Sequence, residues 1–316
     1  MADLYSSKSA KPRTRSAAPT ARRTGRLRIS GYSGLSGLPV HRRSPLPVLA
    51  LHSSASTGGQ WKALAQSMTG QRRVLTPDLP GYGNASVCTA MVGPADLGFE
   101  ADWVLRQARL PAGPFHLVGH SYGAAVALKL ALCAPERVCS LTLVEPVLFH
   151  LLMPGGAGER RLFRQIIGVR DRLRGAVAAG WPAHGMAAFV DFWSGEGFWQ
   201  SLDLAKRQAL AGQAPSVVRN FDAALGETWT IKEVASLRAP LQLIYGNRSQ
   251  PVTLRLTDLL VDAAQNVTAT GIFGAGHMAP VTHATAVNAM IGHHIETAED
   301  LRHRDFPMPA ASPLVA

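Results

Sequence analysis

The feature that most constrains this chain is a serine between two glycines, in the stretch Gly119-His120-Ser121-Tyr122-Gly123. A short apolar run at 115–118 precedes it and predicts a β-strand, and helix formers follow it from 124 to 132. G-x-S-x-G between a strand and a helix predicts a tight turn that holds the serine in a strained conformation and exposes its hydroxyl. A glycine-rich turn that merely contains a serine is the alternative, and the flanking runs favour the first interpretation.

Apolar runs that resemble strands alternate with helical stretches along most of the chain. This order predicts an α/β protein with a parallel sheet and crossover helices. The predicted strands are 46–52, 73–78, 115–119, 140–145, 241–246 and 267–273. The predicted helices are 60–68, 95–107, 122–132, 252–264 and 284–294.

The connection between the predicted strands 140–145 and 241–246 is about 95 residues long, far more than a simple crossover needs. The excess, residues 151–236, is interpreted as an inserted helical lid that holds four of the six tryptophans and five of the ten phenylalanines. Most of these aromatic side chains are expected to pack the lid onto the core. A lid must also present apolar surface to the cavity beneath it, which predicts an apolar, partly aromatic substrate pocket. Its predicted lining residues are Phe189, Phe192, Trp193 and Trp199.

Three further stretches, in order, resemble the α/β-hydrolase superfamily, in the branch of small serine esterases and lid-bearing relatives of haloalkane dehalogenases. Val48-Leu49-Ala50-Leu51-His52 with Gly58-Gly59-Gln60-Trp61 resembles the family's oxyanion loop and first helix. The stretch 78–86, DLPGYGNAS, resembles its D-x-x-G-x-G-x-S loop, and Gly274-Ala275-Gly276-His277-Met278 resembles its histidine loop. The resemblance implies the α/β-hydrolase fold, a mostly parallel sheet flanked by helices with an inserted helical lid. It is specific for fold and weak for substrate.

A serine nucleophile needs a base within hydrogen-bond reach and a third group that holds the base. His277 is the predicted base among eleven histidines, because it follows an apolar strand at the point where this fold brings a loop back to the turn that holds Ser121. His120 is expected to point away from Ser121. His52, at the end of the first strand, fits a structural role in the oxyanion loop.

The acid stands at an unusual position in this sequence. Much of the superfamily carries G-x-x-D after the strand matched by 241–246, but this chain has Gly246-Asn247-Arg248-Ser249, and the next acid is Asp258. Some lid-bearing relatives place the acid after the preceding strand, where this chain has Glu145. Burying an unpaired carboxylate at a strand end is also costly. Glu145 is therefore the predicted acid, the alternative being that it caps the strand or pairs with an arginine.

The oxyanion hole is predicted to lie beside the turn that holds Ser121. The backbone N–H of Tyr122, directly after the nucleophile, is the expected first donor. The expected second donor is the N–H of Ser54, in the loop after His52. Many relatives carry His-Gly at this point, whereas this chain has His52-Ser53-Ser54.

The residues together predict a serine hydrolase that cleaves an ester or thioester of a small apolar or aromatic acid through an acyl-enzyme. No metal and no other cofactor is expected, and the predicted partner is a small-molecule substrate. Haloalkane dehalogenase and epoxide hydrolase activities are disfavoured, because both need a carboxylate where Ser121 stands. A non-catalytic binding protein on the same fold remains an alternative, as do carbon–carbon bond hydrolysis and acyl transfer by the same triad.

The net charge of +11 is concentrated at the N-terminus. Residues 1–45 hold ten Lys or Arg and one acid, which leaves +2 for the rest of the chain. This segment has no apolar periodicity and is interpreted as a disordered basic tail. Its composition also fits an organelle transit peptide or a start placed upstream of the real one, so a cytoplasmic location is predicted with organelle targeting as the alternative. Nucleic-acid binding is not expected, because the charge is not spread over a folded face.

The remaining boundaries follow from hydropathy and motif order. Residues 46–150 and 237–296 are the predicted hydrolase core, and 297–316 is a predicted flexible C-terminal tail. No run approaches about 18 uncharged apolar residues, so no membrane span is predicted. The three cysteines form neither a disulfide framework nor a metal-binding spacing. The sequence does not indicate an oligomeric state.

Overall fold

The computed structural model describes residues 45–86 and 95–305, with side chains as far as 302. The predicted basic tail therefore lies outside the described residues, except for Pro45. Within the described ranges the strands form one parallel sheet in the order β2-β1-β3-β4-β5-β6. The strands are β1 Val48–Leu51, β2 Val74–Leu75, β3 Phe115–His120, β4 Val138–Val144, β5 Leu241–Gly246 and β6 Val267–Ile272.

Helices connect these strands and cover both faces of the sheet. In chain order they are α1 Lys62–Ser67, α2 Leu97–Gln107, α3 Tyr122–Cys133, α4 Ala157–Ala178, α5 Pro182–Ser194, α6 Phe198–Ser201, α7 Leu204–Gly212, α8 Ala214–Leu225, α9 Ile231–Ala235, α10 Pro251–Ala263, α11 Ala279–Thr282 and α12 Ala284–Asp305. Short 3₁₀ turns occupy Gly58–Trp61, Gly83–Ala85 and Phe149–Leu152. Side-chain caps fix two of the helix starts, since Asp96 accepts from the N–H of Phe99 and Asp203 from that of Lys206.

The two faces of the sheet bury different sets of side chains. Along β1, Leu49 and Leu51 belong to one apolar cluster and Val48 and Ala50 to the other, as the alternation of side chains along a strand requires. The first cluster includes side chains of α2, α3 and the helices between β4 and β5, and the second those of α1 and α12. Every residue of β3 is buried. The central strand that leads to Ser121 is therefore held from both sides.

The predicted strand 241–246 matches β5, whereas the predicted strand 73–78 is reduced to the two residues of β2. The last helix is longer than predicted and continues to Asp305. The predicted flexible tail is therefore wrong for 297–305, and 306–316 lies outside the described residues. Sequence periodicity missed this extension because ion pairs hold it as well as apolar packing.

Glu299 on α12 carries those polar contacts. It accepts hydrogen bonds from the Arg72 guanidinium at 2.9 and 3.0 Å and from the N–H of Leu46 at 3.1 Å. Burial acts to raise the pKa of Glu299, but its hydrogen bonds with His116 and Arg72 outweigh burial and hold that pKa well below its usual range. The last helix is thus tied to the first strand of the core.

The helices α4 to α9 all lie between β4 and β5, where the lid insertion was predicted at 151–236. Helix α4 packs along α5 and α8, and α8 reaches α3, the helix that follows Ser121. This placement brings α8 to the carboxyl end of β3. No helix in the part of the chain that the structure describes is long and apolar enough to cross a membrane.

Candidate active site

Ser121 stands in the turn between β3 and α3 with a backbone conformation that residues other than glycine rarely adopt, φ 55° and ψ −116°. Its N–H donates to the carbonyl oxygen of Val144 at 2.9 Å. A Cβ atom at Gly119 would lie 2.5 Å from the carbonyl oxygen of Gly123, and one at Gly123 would lie 2.4 Å from that of His52. Only glycine fits at either position, which is the physical basis of the G-x-S-x-G pattern.

The residues predicted as nucleophile, base and acid lie side by side. His277 Nε2 is 2.9 Å from Ser121 Oγ, and His277 Nδ1 is 2.7 Å from Glu145 Oε2. All three side chains are buried. An imidazole held between a hydroxyl and a carboxylate can accept the hydroxyl proton while the carboxylate stabilises the resulting imidazolium.

Glu145 follows β4 with a positive φ of 48°. Its Oε1 atom accepts hydrogen bonds from the N–H of Gly246 at 2.8 Å and from the hydroxyl of Ser249. Both carboxylate oxygens therefore have protein partners, which offsets the cost of burying the group. Ser249, at the position where much of the superfamily carries the acid, donates a hydrogen bond to the acid instead. Asp258 is exposed on α10.

Two neighbours fix the position of His277. The Trp193 ring stacks on the imidazole with a centroid distance of 4.1 Å and an interplanar angle of 26°. His120 Nε2 lies 2.8 Å from the carbonyl oxygen of His277. Burial holds the pKa of His120 well below its usual value, so the ring is neutral and Nε2–H donates to that carbonyl. His120 therefore points away from Ser121 and supports the histidine loop through this hydrogen bond.

His52 organises the loop that follows β1. Its Nε2 atom accepts from the N–H of Leu79 at 2.9 Å, and its Nδ1 atom lies 2.8 Å from the carbonyl oxygen of Ser53. Burial lowers the pKa of His52 to about 4, which keeps the ring neutral. The position of Ser54 is thus set by a buried histidine at the end of the first strand.

The two residues predicted to form the oxyanion hole both border the space around Ser121. Tyr122 is the first residue of α3, so its N–H has no acceptor within the helix and lies at the positive end of the helix dipole. The Ser54 hydroxyl donates to Asn220 Oδ1 at 2.8 Å, which ties this loop to α8. Backbone N–H groups at these positions can stabilise negative charge that develops beside Ser121.

Two adjoining cavities open at Ser121. The Asn220 cavity encloses about 280 Å³, including the space at its mouth, and its wall includes Ser54, Tyr122, Phe149, Asn220 and Phe221. The His277 cavity encloses about 430 Å³ on the same measure, and its wall includes Ser53, Phe198, Leu210, His277 and Met278. Phe189 and Trp193 line both cavities. They lie four residues apart on α5 and so share one face of that helix.

Two of the predicted pocket residues line neither cavity. The Phe192 ring packs edge-on against Trp193, and its carbonyl oxygen accepts from Gln250 Nε2 at 2.6 Å. Trp199 is buried within the helical segment, with its N–H bonded to Asp191 Oδ1 at 2.7 Å. The structure therefore brings Phe189 and Trp193 to the two cavities but not this pair, because aromatic content alone does not tell which side chains of the segment face Ser121.

Four residues of this site escaped sequence reasoning in their observed roles: Phe149, Asn220, Phe221 and Ser249. The position of Ser249 in the family motif was the one available signal. Among the described residues, no group of three or more His, Cys, Asp or Glu side chains is arranged to hold a metal ion.

A parallel sheet with a strained serine between strand and helix, and a histidine and a glutamate at the adjoining strand ends, defines the class of α/β hydrolases. A sequence profile of the Alpha/beta hydrolase family matches residues 48–290. The chain belongs to this family.

Relatives with assigned names share part or most of this region. The chain is 30% identical over 147 residues to Lipase LipV of Mycobacterium tuberculosis, an alignment that covers 46% of this chain and 53% of the lipase. It thus spans about half the length of that relative. It is 27% identical over 275 residues to the pimeloyl-[acyl-carrier protein] methyl ester esterase of Methylococcus capsulatus, covering 79% of this chain and 95% of the esterase.

Solved structures show the same fold. The structure of MenH from S. aureus superposes with a TM-score of 0.65 at 16% identity, covering 82% of this chain and 96% of that chain. At this level of identity the likeness concerns the fold alone, and the chemistry must be argued from the side chains.

Proposed function

We propose that this hydrolase is a serine esterase that cleaves carboxylic esters or thioesters of small apolar or aromatic acids through Ser121, His277 and Glu145. The observation that carries the proposal is the position of His277, 2.9 Å from Ser121 Oγ on one side and 2.7 Å from Glu145 on the other. The two relatives named as an ester hydrolase and a lipase support ester chemistry.

In the proposed first half-reaction, Ser121 Oγ attacks the ester carbonyl carbon while His277 Nε2 takes the hydroxyl proton. The carbonyl oxygen becomes an oxyanion that the N–H groups of Tyr122 and Ser54 bind. Collapse of the tetrahedral intermediate breaks the bond to the alcohol or thiol, and His277 returns its proton to that leaving group. The product of this step is an acyl-enzyme at Ser121.

In the second half-reaction, water attacks the acyl-enzyme with His277 as the base, and the acid leaves as Ser121 regains its proton. Glu145 accepts from Nδ1–H throughout, which keeps Nε2 free to take a proton and stabilises the imidazolium. The apolar walls from Phe149, Phe189, Trp193 and Phe221 favour an apolar or aromatic acyl group.

The two cavities indicate where the two halves of the ester bind. His277 must protonate the leaving group, so the alcohol or thiol should occupy the His277 cavity. The acyl chain then extends into the Asn220 cavity, away from the histidine. The helical segment α4 to α9 acts as the lid in this proposal, since α5 and α8 supply much of the apolar wall of both cavities.

The test is Ser121→Ala, assayed with methyl pentanoate and with its thioester analogue. Loss of the nucleophile should lower kcat by about 10³-fold or more, since triad members act as a unit. Ser67→Ala, an exposed serine on α1, is the matched control and should keep wild-type rates. Wild-type turnover in a correctly folded Ser121→Ala protein would rule out the proposed nucleophile.

A further inference from the structure

Asn220 places an amide group in an otherwise largely apolar cavity beside Ser121. Its side chain is 3% exposed and lines the Asn220 cavity together with Ser121 and Tyr122. Its Oδ1 atom accepts hydrogen bonds from the Ser54 hydroxyl at 2.8 Å and from the Tyr82 hydroxyl. Both acceptor positions of the amide oxygen are therefore used by protein donors.

The direction of the amide follows from the surroundings of Tyr82. The N–H of Ala55 donates to the Tyr82 hydroxyl, so the tyrosine's own proton is available for Asn220 Oδ1. That arrangement turns Nδ2 away from Tyr82. Asn220 Nδ2 makes no well-formed hydrogen bond among the described residues, and the Tyr122 hydroxyl is the polar group that interacts with the Asn220 side chain there.

An amide donor buried without a well-formed hydrogen bond is costly, about 1 to 3 kcal/mol. Such a group is usually satisfied by protein, water or ligand. Here the side chain already lies in the wall of a cavity that reaches the nucleophile. A substrate oxygen placed in that cavity would accept from Nδ2 and remove the cost, so the ester that carries the oxygen would bind better than one that does not.

The charges around Asn220 favour a neutral substrate oxygen over a carboxylate. Among the described residues that line the Asn220 cavity, none is lysine or arginine. Behind the wall lies Glu100, fully buried beside the Tyr122 hydroxyl, and Arg219 is the cation whose charge acts on Glu100. A substrate carboxylate in the cavity would meet apolar walls with no cation in contact, which is expensive. A neutral acceptor meets no such penalty.

We propose that Asn220 is a specificity residue that selects acyl groups bearing a neutral hydrogen-bond acceptor, such as a ketone or amide oxygen, bound by its Nδ2 donor. This inference rests on the proposed esterase function and narrows its substrate class. The same acyl chain with a methylene in place of the carbonyl leaves the donor unpaired. The same chain with a terminal carboxylate brings an uncompensated charge.

The experiment compares kcat/KM for three sets of methyl esters of matched length: saturated acids, the corresponding acids with a ketone at C4, C5 or C6, and monomethyl esters of dicarboxylic acids. Wild-type protein should prefer the best keto ester over its saturated counterpart by about tenfold or more, the equivalent of one satisfied buried donor. The half-esters should be the poorest substrates.

Three variants distinguish the loss of the amide donor from a general loss of folding. Asn220→Asp keeps an oxygen for Ser54 and Tyr82 but removes the donor, and Asn220→Leu removes both. Each should bring the ratio of keto to saturated ester to about one, and thermal melts identify any variant that fails to fold. Asn266→Asp, an exposed asparagine next to β6, is the matched control and should keep the wild-type ratio.

The outcomes are distinct. A wild-type ratio near one at every ketone position, with saturated esters hydrolysed in a manner that depends on Ser121, overturns the role of Asn220 and leaves the esterase. A preference for half-esters, or a ratio that survives both Asn220 variants, also overturns it. Hydrolysis of none of the esters overturns the esterase proposal and this inference together.

Discussion

The two sides of Ser121 differ in how their buried polar groups are satisfied. On the side of His277, both ring nitrogens and both oxygens of Glu145 have hydrogen-bond partners. On the side of Asn220, the Nδ2 atom, the Tyr122 hydroxyl and the two carboxyl oxygens of Glu100 have no well-formed hydrogen bond among the described residues. Both sides are buried to the same degree, so the contrast concerns chemistry rather than exposure.

The difference indicates that the two sides of Ser121 have different functions. The His277 side is complete without a ligand, which is what electrostatic preorganisation of a catalytic base requires. On the Asn220 side, the buried Nδ2 atom bears a cost of about 1 to 3 kcal/mol, which a ligand that accepts from it can remove. Chemistry is therefore expected to depend on the first side and substrate choice on the second.

The largest effect is expected from Glu145→Gln, which disrupts the hydrogen bonds on the His277 side. Glutamine has one oxygen, so its NH₂ group must face either His277 Nδ1 or the N–H of Gly246. The first choice forces the wrong imidazole tautomer and the second creates a clash of donors. We expect kcat for methyl pentanoate to fall by about 10²- to 10⁴-fold, measured by methanol release.

Ser249→Ala is the matched comparison, because it removes only one of the donors to Glu145 and leaves the charge. Its kcat should fall by no more than about tenfold, the worth of one charge-assisted hydrogen bond at the low end. If the two substitutions had equal and small effects, Glu145 would not be the group that orients His277.

A smaller effect is expected on the Asn220 side from Glu100→Gln, and it should depend on pH. Burial raises the pKa of Glu100 from 4.5 to about 7. Between these values the folded protein keeps a proton that the unfolded chain releases, so stability falls as pH rises. This contribution is fully present below pH 4.5 and is lost as pH rises through about 7. Wild-type protein should lose about 1 to 3 kcal/mol more of its free energy of unfolding between pH 4.5 and 8 than Glu100→Gln.

Urea unfolding at both pH values measures this difference. The Tyr122 hydroxyl also acts on Glu100 through a hydrogen bond, and Arg219 and Asp96 act through their charges; the variant leaves all three in place. Glu196→Gln, an exposed glutamate that follows α5, serves as the control and should show the wild-type dependence. The same pH dependence in wild type and Glu100→Gln would show that folding does not raise the pKa of Glu100.

The smallest effect is expected from removing residues 1–44, which the structure does not describe. This segment carries most of the net charge and no apolar pattern. A chain that begins at Pro45 should keep its melting temperature within a few degrees and its kcat/KM for methyl pentanoate, as expected for changes away from the core. A drop of ten degrees or more would show that part of this segment packs on the sheet.

The sequence predicts which side chains meet on the His277 side but not which meet on the Asn220 side, and chain topology explains the difference. Ser121, Glu145 and His277 each follow a strand of one parallel sheet, so motif order predicts that their side chains meet at one edge. Asn220 meets Ser54 across 166 positions of sequence and Tyr82 across 138. Those contacts depend on how α8 packs over α3, which no local pattern specifies.

Labelling with a fluorophosphonate probe, followed by measurement of the intact mass, tests whether Ser121 is an activated nucleophile. We expect one adduct per wild-type molecule, mapped to Ser121 by peptide mass, no adduct on Ser121→Ala, and slow labelling of Glu145→Gln. If folded wild-type protein took up no probe, or took it up at another serine, Ser121 would not be the activated nucleophile.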